Sequence, residues 1–188
     1  MSVSQISLED FLSRLQEIAS ENPSYRIGGS AKDGTCDCIG LIIGAIRRAG
    51  GSWLGIHGSN YAARNEVLSL AGIRRAEELS VGELVFKHYT PAEKGYSLPD
   101  RYRKGRDLND YCHVGIVLSV HPLRILHMTA PACKTDTALG KWSHHGWCRR
   151  VQKPSQISNE IRVPAILGAL AEIERQLDII YETIGGRG

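Results

Sequence analysis

From Cys38 to Ala49 the chain reads CIGLIIGAIRRA, almost wholly apolar, and Gly50-Gly51 stops it. A run of that length without a polar face predicts a helix sunk in the core, around which the rest of the domain must be wrapped. At 188 residues there is enough chain for one such domain and an appendage. The stretch before the helix, YRIGGSAKDGT, is glycine-rich turn material that delivers the backbone to Asp37 and Cys38.

Upstream, ISLEDFLSRLQEIASENP predicts an amphipathic helix. Ser7 is its N-cap with Asp10 three residues on, Ile6 and Phe11 staple the entry, and Pro23 follows the exit. Leu8, Phe11, Leu12, Leu15 and Ile18 mark the packing face. A shorter helix with a Ser or Asn cap is expected over 59–68. After that the period changes: GELVFKHY, CHVGIVLSV, LRILHMTA and GWCRRVQ are short segments rich in β-branched or aromatic residues, bounded by Gly, Pro or Ser. They predict an antiparallel meander following a helical half, an α+β arrangement.

Residues 87–111 form a long polar connection holding four of the seven tyrosines and six Lys or Arg residues. Glu93, Asp100, Asp107 and Asp110 offset those charges, so a solvated lid is favoured over a nucleic-acid groove. The last stretch carries Leu167, Leu170, Ile173, Leu177, Ile180 and Ile184 on one stripe. It predicts a helix that docks on the body or supports oligomerisation by pairing with another chain. The expected organisation is a catalytic domain over 1–153, with 87–111 as a lid-like insertion, and a helical extension over 154–188.

Net charge is +3, which demands neither nucleic acid nor any other polyanion. No apolar run reaches membrane-spanning length, and the amino terminus lacks the basic-then-apolar order of a signal peptide. Synthesis in the cytoplasm is expected. Five cysteines, an odd number without dense spacing, suit a reduced compartment and one functional thiol.

Cys38 stands where the turn becomes the helix. The first turn has unpaired N–H groups and the positive end of the helix dipole, both of which favour thiolate. Asp37 is a natural N-cap, whereas Cys36 belongs to the turn and lacks this environment. A thiol nucleophile needs a base and a group to orient that base. His113 opens HVGIVLS and His127 closes LRILHM. If those strands are antiparallel neighbours joined at Val120–Arg124, the imidazoles lie side by side. His113 then takes the thiol proton and His127 holds its other ring nitrogen. A buried structural role for Cys38 is the plain alternative. Zinc held by Cys36 and Cys38 with Cys133, His144, His145 or Cys148 matches no standard finger spacing, and one residue between Cys36 and Cys38 does not suit a redox dithiol.

These residues resemble the NlpC/P60 cysteine peptidases. YRIGGSAKDGTCDCIGLI resembles the family's Tyr, Gly-Gly turn and Asp-Cys-Ser-Gly-Leu opening of the catalytic helix; VGELVF resembles its Pro-Gly-Asp-Leu-Val strand. HVGIVLS resembles its His-Val-Gly strand, and ILHMTAP the following strand that ends in the third polar residue. The blocks occur in family order between Tyr25 and Val151. Ile39 departs from the pattern, standing where the family has Ser.

The resemblance implies a papain-like α+β fold and hydrolysis of peptidoglycan stem peptides between γ-D-glutamate and a diamino acid, without metal or cofactor. It makes Cys38 the nucleophile, His113 the base and His127 the orienting residue. Tyr25 falls beside the cleft, and Asp37 matches an aspartate that in some members binds the free amine of the stem peptide. The Cys38 N–H, with the Tyr25 hydroxyl, would hold the oxyanion. Action on the wall would follow lysis, dedicated secretion or carriage on a phage particle, and a prophage origin fits that route. A thiol amidase or acyltransferase of the same fold, or a non-catalytic assembly module, are the competing classes.

Overall fold

The computed structural model describes residues 5–154. Helix α1 spans Leu8–Ser20, where Ser7 Oγ accepts the Asp10 N–H at 3.0 Å as a cap. Phe11, Leu15 and Ile18 on its inner face are fully buried. Helix α2, Cys38–Arg48, is buried continuously from Cys38 to Ile46, as its unbroken apolar run requires. Gly50, at φ +81°, turns the chain out of it. Arg48 clamps α2 to α1 through Glu17 at 3.0 Å and Glu21 at 2.8 Å.

Two short strands, β1 (Ser24–Tyr25) and β2 (Thr35–Cys36), pair in parallel beside the start of α2. Six more form the main sheet: β3 (Val67–Gly72), β4 (Leu84–Tyr89), β5 (Asp110–Val120), β6 (Leu123–Met128), β7 (Cys133–Asp136) and β8 (His144–Cys148). Their order is β3-β8-β4-β5-β6-β7, antiparallel at every pairing. The class is therefore α+β, with Cys38 at the N-terminus of a helix packed on an antiparallel sheet.

Alternation sorts the sheet into two faces. Leu84, Phe86, Val114, Ile116, Leu126 and Met128 join the core built on α1 and α2. Val85, Val117 and Ile125 point the other way and pack with Leu79, Leu123 and Trp142 in a smaller cluster. The second face is the one that carries the histidines described below.

Three expectations need revision. The 59–68 segment is an α-helical turn, Ser59–Tyr61, running into a π-helical turn, Ala62–Glu66, after which Val67 opens β3. No side chain caps it. Asn60 is spent elsewhere, donating to Asp110 at 2.7 Å and accepting the Tyr111 N–H at 3.1 Å and Arg64 at 2.7 Å. The connection expected over 87–111 narrows to 90–109, because β4 runs to Tyr89 and β5 starts at Asp110. Its base is tied down: Arg64 donates to the carbonyls of Asp107 and Asn109, the Ser97 N–H reaches Asp110, and Leu98 is buried. Strands β3 and β7 were not expected. They are the two edges of the sheet: β7, CKTD, carries no apolar run, and β3, VLSLAG, opens within the segment expected to be helical. The expected helix within 154–188 lies outside the described residues.

Candidate active site

The start of α2 is held by backbone as much as by side chains. A Cβ at Gly40 would lie 1.8 Å from the Gly29 carbonyl oxygen, so glycine there lets the Gly28-Gly29 turn cross directly over the first helical turn. Asp37 ties the two together. Its Oδ1 accepts the Gly40 N–H and its Oδ2 the Gly28 N–H, each at 2.7 Å. His57 Nε2 sits 2.8–2.9 Å from both oxygens. Burial acts to raise the Asp37 carboxyl, but hydrogen bonds from His57, Gly28 and Gly40 outweigh it and hold the group below the usual carboxylate range. Its acceptor sites are thus occupied within the protein. A free amine of a ligand would have to displace His57 to reach them.

Cys38 follows, buried in the core cluster. Helix-end stabilisation of a thiolate is not what the surroundings produce. Burial pushes the Cys38 thiol up to about 12, with the Asp37 charge adding; the N–H groups of Val114 and Ile39 oppose it without reversing it. Cys36 is likewise pushed up to about 12, chiefly by burial, so acidity does not separate the two thiols. Loss of solvation outweighs the helix end, and the charge that acts most on the sulfur is the anionic Asp37. Tyr25 is half-buried against the same core, and burial, Cys38 and Asp37 all raise its hydroxyl.

The two histidines meet as the hairpin geometry predicts. His113 on β5 and His127 on β6 approach with Nε2···Nδ1 at 2.8 Å, their rings at 89°. Burial lowers both, His113 to about 4, so both rings are neutral at pH 7. Both rings lie against Trp142 on the second face of the sheet, with centroids 5.6 and 5.3 Å from it. Val114, one residue on, points to the opposite face and joins the core that holds Cys38. No hydrogen bond joins Cys38 Sγ to His113 among the described residues. The structure therefore brings His113 to His127 but does not bring either ring to Cys38: the imidazoles lie with Trp142 on one face of the sheet, and the thiol lies in the core under the other.

Behind His127 stands a residue that local sequence does not mark. Asp136 on β7 places Oδ1 3.3 Å from His127 Nε2, an ion-pair approach whose alignment falls short of a hydrogen bond. Its Oδ2 accepts Trp142 Nε1–H at 2.9 Å and faces Lys87 Nζ at 3.4 Å. Lys87 in turn lies 4.2 Å above the Trp142 ring. Burial acts to raise Asp136, but the Trp142 hydrogen bond, the approach of His127 and the Lys87 charge hold it below the usual range. His57 and Asp136 both come from loops or edges whose only signal is proximity in the fold.

A cavity of about 240 Å3 opens over the histidine pair, lined by His113, His127, Lys87, Lys141 and Thr129. The thiol on its wall is Cys112, which is exposed, while Cys38 lies beneath the strand. All five cysteines are unpaired. Among the described residues no group of three or more His, Cys, Asp or Glu side chains is arranged to hold a metal ion.

The chain is similar to NlpC2 from Trichomonas vaginalis, at 14% identity and a TM-score of 0.49 over 74% of this chain and 47% of that one. It is similar to NlpC1 from the same organism at 14% identity and a TM-score of 0.49, covering 76% and 43%. It is also similar to an NLP/P60-family protein from Staphylococcus aureus, at 18% identity and a TM-score of 0.47, covering 81% and 45%. The chain thus spans less than half the length of each. No family model matches the chain, and no curated protein does.

Proposed function

We propose that the domain is a cysteine peptidase of cell-wall peptides, cleaving between γ-D-glutamate and a diamino acid. The observation that carries the reading is the His113–His127 pair at 2.8 Å, formed across β5 and β6. The four motif blocks in family order, from Tyr25 to Val151, supply the substrate class.

The resting state is thiol and neutral imidazole, so proton transfer accompanies attack and does not precede it. The reading requires that substrate binding bring His113 Nδ1 to the thiol; the Cys38 S–H proton then passes to it while sulfur adds to the scissile carbonyl carbon. The N–H of Cys38 has no partner inside the helix and can hold the oxyanion, with Tyr25 alongside. His113 then protonates the departing amine and deprotonates the water that hydrolyses the thioester. His127 holds the His113 ring throughout.

The test is incubation of the purified chain with defined muropeptides and mass spectrometry of the products. Wild type and Cys112→Ser should cleave, and Cys38→Ala should not. Turnover that survives Cys38→Ala but is lost in Cys112→Ser would move the nucleophile to the cavity wall. Thioester turnover with no stem-peptide cleavage would replace the peptidase reading with an acyltransferase.

A further inference from the structure

A neutral histidine pair can be protonated in two ways, and only one of them leaves His113 a base. Each ring carries a single proton, and one nitrogen of each is used in the contact between them. If His127 donates from Nδ1, then His113 Nε2 must accept, and the proton of His113 sits on Nδ1. That nitrogen could then take nothing from a thiol. In the opposite arrangement His127 Nδ1 accepts from His113 Nε2–H, and His113 Nδ1 keeps its lone pair.

We propose that Asp136 is a positioning residue that selects the second arrangement by drawing the His127 proton to Nε2. An ionised carboxylate only accepts, so its charge 3.3 Å from the buried His127 Nε2 favours hydrogen on that atom, although the approach is not aligned as a hydrogen bond. With that proton placed, His127 Nδ1 is bare, His113 Nε2–H donates to it, and His113 Nδ1 is the basic nitrogen. His113 Nδ1 makes no hydrogen bond within the described residues. When the Cys38 proton arrives there, the cation formed is neutralised at a distance by Asp136 through His127, and no further proton needs to move.

The carboxylate is itself fixed on three sides. Trp142 Nε1–H holds Oδ2 at 2.9 Å, Lys87 approaches the same oxygen at 3.4 Å, and β7 pairs with β6 with His127 opposite Lys134. Trp142 packs against both rings, so the indole that orients Asp136 also limits how the imidazoles can turn. Lys87 lies opposite His113 in the β4–β5 register, completing a ring of groups on one face of the sheet. The inference deepens the peptidase reading, in that it concerns the base of the same site.

Nitrogen-15 NMR of the histidine side chains tests it without any need for turnover. In the wild type, both His113 and His127 should carry their proton on Nε2. A proton on Nδ1 of either ring would overturn the proposal. Asp136→Asn, at an edge strand where the side chain is 35% exposed, should fold. It should mix or invert the tautomers and lower kcat by about tenfold to a hundredfold with little change in KM, Asp136→Glu recovering part of the loss. Unchanged tautomers and kcat in Asp136→Asn would equally refute it. Failure of the wild type to cleave any stem peptide would remove the peptidase reading and leave the tautomer result to decide the role of Asp136.

Discussion

Replacing Asp37 with alanine should cost this domain more stability than almost any other single exchange near the site. The side chain is 5% exposed and makes four contacts of 2.7–2.9 Å, to Gly28, Gly40 and His57. Removal of an N-cap costs about 1 kcal/mol. Leaving the Gly28 N–H without its acceptor adds roughly 1–2 kcal/mol, and freeing His57 adds a smaller amount. The sum, about 2–4 kcal/mol, corresponds to a fall in Tm of roughly 5–15 °C for a domain of this size. Urea unfolding of wild type and Asp37→Ala between acid and neutral pH measures it.

The pH dependence has a definite sign. The folded carboxyl titrates below its ordinary value, so its contribution is complete above the unfolded pKa and is lost as pH falls through the lower folded one. The gap between the two proteins should therefore be constant from about pH 5 to 7 and close only below about pH 4. A difference under about 1 kcal/mol at pH 7, or one that closes above pH 5, would refute the account of Asp37 as the brace between the Gly28 turn and α2.

Two further outcomes follow from burial. Iodoacetamide at neutral pH should modify exposed Cys112 first and leave Cys38 nearly untouched, since a thiol pushed up to about 12 is ionised in roughly one molecule in 10^5 at pH 7. Peptide mapping by mass spectrometry reads this, and selective labelling of Cys38 would show that its thiolate is stabilised after all. Glu66→Ala should strand the buried Arg150 guanidinium, which donates to Glu66 at 2.7 and 2.9 Å, and cost about 3–5 kcal/mol. The expected signature is a lower urea midpoint with an unchanged slope.

The parts of the molecule legible in the chain are those decided within a few residues or across one hairpin. The Ser7 cap, the buried α2 run and the Asp37 cap follow from local propensity and apolar spacing. The His113–His127 contact needs only that β5 and β6 pair through one tight turn, because alternation then puts both rings on the same face. The 59–68 segment misleads for a related reason. Its helical pattern is genuine, but Asn60 and Arg64 are drawn to Asp110 and the 107–109 carbonyls, and the turn widens around them.

Distance along the chain hides the rest. His57 reaches Asp37 from a loop, and Asp136 reaches His127 from an edge strand with no apolar signature; neither carries a spacing that a reader of the chain could use. The acidity of Cys38 is the sharpest case. A helix N-terminus beside an aspartate is a local feature visible in the letters, and by itself it points to a thiolate. Desolvation is set by everything packed around the sulfur, from α1 to β6, and it exceeds the pull of the helix end. The sequence alone determined which atoms stand ready at the start of α2 and on the hairpin. The tertiary structure decided how much water they see, and hence that the resting pair is a thiol and a neutral imidazole.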